Sequence, residues 1–322
     1  MKTKKTKRGE SKIVSKLWGN SKSTADRYGA GFHWIESPVV KENINQSISG
    51  DKNVDWVSYV YNKYLKINSS SLRCLSLGCG IGNLERHLLS LGFFRSFDAI
   101  DISKGALRQA KKNASEVGIK VNYKIGDLNS IRLPSNEYDV MFANMSLHHV
   151  KNLESLFNKI EKCLVKDGLF IINEYIGPDQ FQYTKKQIGI INEIIEKLPK
   201  IYRKRITDKL ILKPYFMPPS VQYMNDNDPS EAIRSSDILK YSYKYFEVLE
   251  KHDYGGTISH MLLQDIAGNF NANNSKDRFA LEMIIYIEGI LIKEKVISSD
   301  FSFLVLRKKN IKTSWFKKII AS

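Results

Sequence analysis

The chain has 322 residues, 42% hydrophobic and 26% charged, and a formal net charge of +16. That is ordinary globular composition, enough for one large domain or two small ones. No apolar run reaches the roughly 20 residues a spanning helix needs. The basic start "MKTKKTKRGESK" has no apolar stretch behind it, so it does not read as a secretory signal. Cys74, Cys79 and Cys163 form no C-x-x-C pair, which points to reduced thiols and a cytoplasmic protein. The positive charge has two readings. It attracts polyanions such as nucleic acid or anionic lipid, or it reflects the Lys, Asn and Ile abundance of an AT-rich genome. The basic residues are scattered except at the two ends.

Residues 1–50 read as a charged tail followed by an irregular, aromatic-rich cap segment, "KLWGNSKSTADRYGAGFHWIESPVV". Val54, Val57, Val60, Tyr61, Tyr64 and Leu65 are spaced as on one helix face, with Asp51 placed to cap its start. From there to residue 175 strand and helix alternate. "LRCLSLG", "FDAID", "VNYKIG", "YDVMFAN" and "GLFIINEY" read as buried strands. Helices are expected over about 83–91, 104–117 and 153–164. This alternation predicts an α/β, doubly wound parallel sheet.

The pattern then breaks. Residues 176–244 read as a mostly helical insertion interrupted by prolines, of the kind that serves as a lid or substrate wall. Within it "DPSEAIRSSDIL" has Asp228, Pro229 and Glu231 in the order of a capped helix start. Residues 245–308 return to the sheet pattern in "YKYFEVLEKHDYG" and "DFSFLVLRK", and 309–322 form a basic tail.

The strongest local signal is "LSLGCGIGNLE", where Gly78, Gly80 and Gly82 lie at the turn from first strand to first helix. Glycines there permit tight turning and close approach of a ligand to the backbone. Alone the pattern also fits a plain strand–helix turn. Asp101 follows 19 residues after Gly82, at the end of the second strand, where an acid can accept from ribose hydroxyls. Asp127 stands just past the third strand, where a carboxylate can meet an adenine amino group.

The G-x-G-x-G spacing, Asp101, Asp127 and the late strand pair together resemble class I S-adenosylmethionine-dependent methyltransferases, over about 52–175 and 245–308. The resemblance implies a Rossmann-like seven-stranded sheet whose last strand is antiparallel, with S-adenosylmethionine as cofactor. It implies that Gly78, Gly80 and Gly82 face the methionine part, Asp101 the ribose, and Ile102, Asp127 and Leu128 the adenine, with Asn144 at the end of the fourth strand also beside the cofactor. The family usually has an acid where this chain has Ser76.

"NMSLHHV" follows the fourth strand, which in such folds faces the sulfonium. The N/D-P-P-Y of amino-group base methyltransferases and the Pro-Cys of cytosine C5 enzymes are absent there. Histidine suits proton abstraction near neutral pH. Leu-His-His at this point resembles small-molecule methyltransferases, including sugar O-methyltransferases, and so implies His148, His149 and Glu174 as the groups serving an acceptor hydroxyl. Capping of the next helix is the competing reading for one histidine, and orienting a histidine is the competing reading for Glu174. Tyr28, Trp34 and Tyr175 are candidate acceptor contacts, or ordinary lid packing.

"HWIESPVVKENINQSISG", "NEYIGPDQFQ" and "DPSEAIRSSDIL" are together similar to bacterial methyltransferases of surface-polysaccharide assembly. A sugar, glycan or lipid-linked glycan acceptor is the expectation that follows. RNA methylation, a non-sugar small molecule and a non-catalytic cofactor-binding subunit are the alternatives. The tail "TSWFKKIIAS" suits either peripheral contact with an anionic membrane or an unstructured end. No set of hard oxygen ligands for a metal is evident beyond Glu174, which leaves dependence on a divalent metal open.

Overall fold

The computed structural model describes residues 29–309. The basic stretch 1–12, Tyr28 and "TSWFKKIIAS" lie outside the described residues.

Helix α1 (Pro38–Ser49) has Pro in its first turn and ends at Gly50, whose φ of 81° lets the chain turn out of the helix. The sequence reading left this stretch irregular. Its fully buried apolar side chains are only Val39, Val40 and Ile48, so packing rather than periodicity makes it a helix. Helix α2 (Trp56–Val60) continues as a π turn over 61–65 and a 3-10 stretch over 66–71. Asp51 does not cap it. Asp55 does, accepting from the backbone of Val57 at 2.9 Å and Ser58 at 3.1 Å, while Asp51 closes a local turn onto Asn53. Turn residues 51–54 delay the helix, and the cap moves with it.

The alternating region follows expectation: β1 (Arg73–Leu77), α3 (Asn83–Leu91), β2 (Ser96–Asp101), α4 (Lys104–Glu116), β3 (Asn122–Ile125), β4 (Tyr138–Asn144), α5 (Leu153–Cys163) and β5 (Leu164–Tyr175). Then come α6 (Lys185–Lys197), α7 (Val221–Asn227), α8 (Ile238–Tyr245), β6 (Phe246–Gly255), α9 (Ser259–Leu263), α10 (Ser275–Lys293) and β7 (Phe301–Lys308). The seven strands form one sheet in the order β3-β2-β1-β4-β5-β7-β6. β1 to β5 are parallel, and β7 runs antiparallel to both β5 and β6.

Strand side chains alternate between two apolar layers, as the pleat requires. Val140, Phe142 and Ile171 pack toward α1, α2, α9 and α10. Met141, Ala143, Phe170 and Ile172 pack toward α5 and α8. Both faces are covered, which is why these strands read as unbroken hydrophobic runs.

The insertion is less helical than its sequence suggested. Residues 198–220 contain no helix, consistent with Pro214, Pro218 and Pro219, each of which lacks the backbone N–H a helix interior needs. "DPSEAI" is a turn and not a capped helix. Asp228 takes the backbone N–H of Ser230 at 3.1 Å, and Ala232 has φ 50°. That strained residue persists because its carbonyl accepts from Gln180 N at 2.7 Å and the next N–H, of Ile233, donates to the His148 carbonyl at 3.0 Å.

The irregular stretch is tied to the core by Lys213. This buried side chain donates to the carbonyls of Met261, Leu262 and Gln264 at 2.6, 3.1 and 2.8 Å, at the end of α9. Lys213→Met should strand those acceptors and lower stability by roughly 1–3 kcal/mol. Chemical denaturation of the two proteins measures this, and equal midpoints would show that the lysine contributes nothing to the anchor.

Candidate active site

The site lies at the carboxyl ends of β1 to β5, over the crevice where β1 and β4 meet and the strand order reverses. Gly78, Gly80 and Gly82 all have positive φ, at 71°, 54° and 76°. A Cβ on Gly78 would stand 2.4 Å from that of Ser146, so the glycine is what lets the loop after β4 close on the loop after β1. A Cβ on Gly80 would meet no atom of the described residues within 4 Å. That open side is where a cofactor can approach the backbone.

Asp101 shapes the same loop. One of its carboxylate oxygens accepts from Gly80 N at 2.8 Å and the other from Ser103 N at 2.7 Å. Burial raises its pKa, and these two hydrogen bonds oppose the rise. Ile102 follows it, half-buried. Asp127, past β3, holds the loop by accepting from Asn129 N at 2.9 Å, and the neighbouring Gly126 N–H reaches the Asp101 carbonyl at 3.0 Å. Leu128 is half-buried beside them against the α5 layer. Asn144 accepts from Asn173 at 2.9 Å across the ends of β4 and β5. The expected cofactor residues thus converge on one rim.

Sequence reasoning missed Glu85. It is fully buried in the first turn of α3, and neither carboxylate oxygen has a hydrogen-bond partner among the described residues. Burial pushes its pKa up to about 7, with the Ser76 hydroxyl opposing. A carboxylate therefore stands beside Ser76 and the glycine loop, where the family's usual acid is lacking. Its signal was weak because "NLER" reads simply as the start of an amphipathic helix.

After β4 the chain makes a sharp turn at Met145 (φ 50°) and enters a short 3-10 turn over Leu147–His149. Glu174, with no exposure, anchors this turn. Its carboxylate accepts from Ser146 N and Leu147 N, both at 2.7 Å, from Tyr175 N at 2.9 Å, and from the Nδ1 of His148. Glu174 therefore orients His148 and is itself sealed from the surface. The histidine pair is not a helix cap: α5 starts later, at Leu153, with Asn152 as its N-cap.

The two imidazoles lie with ring centroids 4.1 Å apart, and their environments set them in opposite protonation states. Burial pulls His148 down, but the carboxylates of Glu174, Glu231 and Asp228 outweigh it and hold the pKa at about 9, so His148 is cationic near neutral pH. Burial and then the charge of His148 lower His149, which is neutral. Ser230 Oγ sits 2.8 Å from Asp228 Oδ1, to which it gives its hydrogen, so it can only accept from His149 Nδ1 at 3.2 Å. That assigns the His149 lone pair to Nε2. His149 is also the more accessible, with 20% side-chain exposure against 7% for His148. Glu231, from the turn in the insertion, faces both rings, at 3.6 Å from His148 Nε2 and 3.8 Å from His149 Nε2. The sequence reading took it as a helix cap.

Tyr175 and Trp34 are buried here, Tyr175 with its ring 6.4 Å from that of His148. The Tyr175 hydroxyl is engaged by the Pro178 carbonyl at 3.0 Å. Trp34 packs on His260 and Phe301, and its indole nitrogen has no hydrogen-bond partner among the described residues. The same holds for Tyr183 Oη, His260 Nδ1 and Asp300 Oδ2. Buried polar atoms are nearly always paired, so such a group is unusual.

Comparison with known proteins agrees with the fold and the loop. Residues 75–172 match the family model described as a methyltransferase domain. The chain is 31% identical over 148 residues to the malonyl-(acyl-carrier protein) O-methyltransferase of Halalkalibacterium halodurans, covering 42% of this chain and 54% of that protein. It is 24% identical over 168 residues to the sterol 24-C-methyltransferase of Yarrowia lipolytica, covering 50% and 42%. The chain thus spans about half the length of the curated relatives it matches. A solved structure of geranyl diphosphate methyltransferase with GPP and sinefungin shares the fold, with a TM-score of 0.55, 10% identity, and 93% and 100% of the two chains covered. This chain carries a class I S-adenosylmethionine-dependent methyltransferase domain, and S-adenosylmethionine is the cofactor of that domain.

The two glycines separate fold from cofactor. Gly78→Ala should cost both stability and cofactor affinity, because its Cβ meets Ser146. Gly80→Ala should cost only about 1–2 kcal/mol of stability from its left-handed backbone yet weaken S-adenosylmethionine binding at least about tenfold. Thermal unfolding and calorimetry with the cofactor test this. Unchanged affinity in Gly80→Ala would place the cofactor elsewhere.

Proposed function

We propose that the protein transfers the methyl group of S-adenosylmethionine to a hydroxyl of a sugar or glycan acceptor, and that the Nε2 of His149 takes the hydroxyl proton. The observation that carries the reading is the neutral His149, its lone pair assigned to Nε2 by Ser230, on the loop that closes against the glycine turn. Methyl transfer from a sulfonium is an in-line displacement, so the acceptor oxygen must be held close to the methyl carbon and lose its proton. His148, cationic and pinned by Glu174, is a poor base. It suits orienting the acceptor and holding its neighbour neutral.

A polyhydroxylated acceptor is supported by polar atoms that lie near aromatic rings and have no partner among the described residues: the Trp34 indole nitrogen, the Tyr183 hydroxyl, His260 Nδ1 and Asp300 Oδ2. Aromatic faces meet the C–H faces of a sugar ring, and the polar atoms meet its hydroxyls. A second reading is an apolar small molecule. It is favoured by the same rings and by Met145, 39% exposed at the loop; named relatives act on a malonyl-acyl-carrier protein and on sterols.

The test is transfer of labelled methyl from S-adenosylmethionine to a panel of nucleotide sugars, lipid-linked glycans, fatty-acyl thioesters and sterols. A labelled sugar product is expected, and His149→Ala should slow its formation by about 10²–10⁴-fold with cofactor affinity retained. Labelling confined to thioesters or sterols would support the second reading. Full activity with both histidines replaced by alanine would remove them from the chemistry.

A further inference from the structure

We infer that His148, His149 and Glu231 form a binding site for one divalent transition-metal ion of the zinc or cobalt type, at the mouth of the proposed acceptor site. One ligand atom from each of the three residues lies within 4.8 Å of the others. Glu231 presents one oxygen 3.6 Å from His148 Nε2 and the other 3.8 Å from His149 Nε2. Nitrogen and oxygen ligands at about 2.0–2.2 Å around one tetrahedral zinc ion stand roughly 3.3–3.6 Å apart. The carboxylate already stands near that spacing from each imidazole, and the widest pair of the trio, within 4.8 Å, has to close by roughly 1 Å to share an ion.

The groups behind the trio support the assignment. Metal-bound histidines characteristically donate their second ring N–H to a carboxylate, carbonyl or water, which fixes the tautomer and turns the other nitrogen to the metal. Both histidines have this arrangement. His148 gives its Nδ1–H to Glu174, itself held by three backbone N–H groups, and the ion displaces the proton that its Nε2 carries near neutral pH, which is released to solvent. His149 gives its Nδ1 to Ser230, whose own hydrogen goes to Asp228. The third donor is pre-positioned as well. Glu231 sits on the turn that Gln180 and the His148 carbonyl pin on either side of Ala232. The donors come from two distant stretches of chain, and each is braced by its own outer partner. Two imidazoles and one carboxylate suit zinc, cobalt or nickel, and not magnesium or calcium, which prefer oxygen donors.

This inference rests on the proposed function only for what occupancy would do. A metal on His149 Nε2 takes the lone pair assigned to the hydroxyl proton, so a loaded site is expected to stop transfer until a chelator removes the ion. Metal supply would then regulate the enzyme.

The experiment uses the full chain, stripped with chelator and titrated with Co²⁺. Calorimetry should give one site per chain, and visible absorption should show bands of a cobalt centre with nitrogen ligands. Mg²⁺ should give no heat. Glu231→Gln and His149→Gln should each weaken Co²⁺ binding at least tenfold while S-adenosylmethionine still binds, which shows that the variants are folded. Absence of Co²⁺ binding, or binding undiminished in both variants, would overturn the site. Transfer is then assayed at Co²⁺ saturation. Loss that chelation reverses supports the site and its regulatory role. Transfer that persists or rises with Co²⁺ bound leaves the site standing and overturns the role of His149 as base.

Discussion

The carboxylate of Glu174 is the contact on which the rest of the site depends. It is wholly buried, and a buried charge is costly unless it is fully hydrogen-bonded. Three backbone N–H groups and one imidazole meet it. Two of those N–H groups belong to the loop after β4 and one to the end of β5, so the carboxylate joins the two strand ends. With the loop held there, Ser146 can give its hydroxyl to the Leu77 carbonyl at 2.7 Å and lie against Gly78. The glycine loop and the histidine pair are thereby locked to each other by one side chain.

The same carboxylate sets the electrostatics. Burial already disfavours a charge on His149, and by holding His148 protonated the carboxylate adds a positive charge 4.1 Å away, ring to ring, that lowers the second imidazole further. Two adjacent identical residues thus acquire different chemistry from their surroundings. The insertion completes the arrangement: Asp228, Ser230 and Glu231 stand within one turn, and each acts on the histidine pair. A segment outside the methyltransferase core so determines which nitrogen of His149 carries the lone pair.

Much of this was legible in the residues. The glycine turn, Asp101 and Asp127 follow a spacing that the alternation of strands and helices imposes, because ligands bind at the carboxyl ends of parallel strands. The strands announced themselves as unbroken apolar runs, since both faces of the sheet are covered. What failed was local. Asp51 and Asp55 are equally good caps by type, and only the turn at 51–54 chose between them. "DPSEAI" has the order of a helix start, but its backbone is held in a turn by Gln180 and by the His148 carbonyl, partners about 50 and 85 residues away. No local pattern carries that information. Glu231 was misread for the same reason, and Glu85 was hidden within a helix stripe.

The sequence by itself determined the class of fold, the glycine turn with Asp101 and Asp127 at the strand ends, and two adjacent histidines just past the fourth strand. Those features rest on short-range periodicity and on spacings within single strand–helix units. The tertiary structure alone decided what the histidines are: which one Glu174 holds, which one stays neutral, and that Glu231 faces them both. Charge and tautomer depend on burial and on groups distant along the chain, and these become neighbours only when the insertion folds back onto the loop after β4.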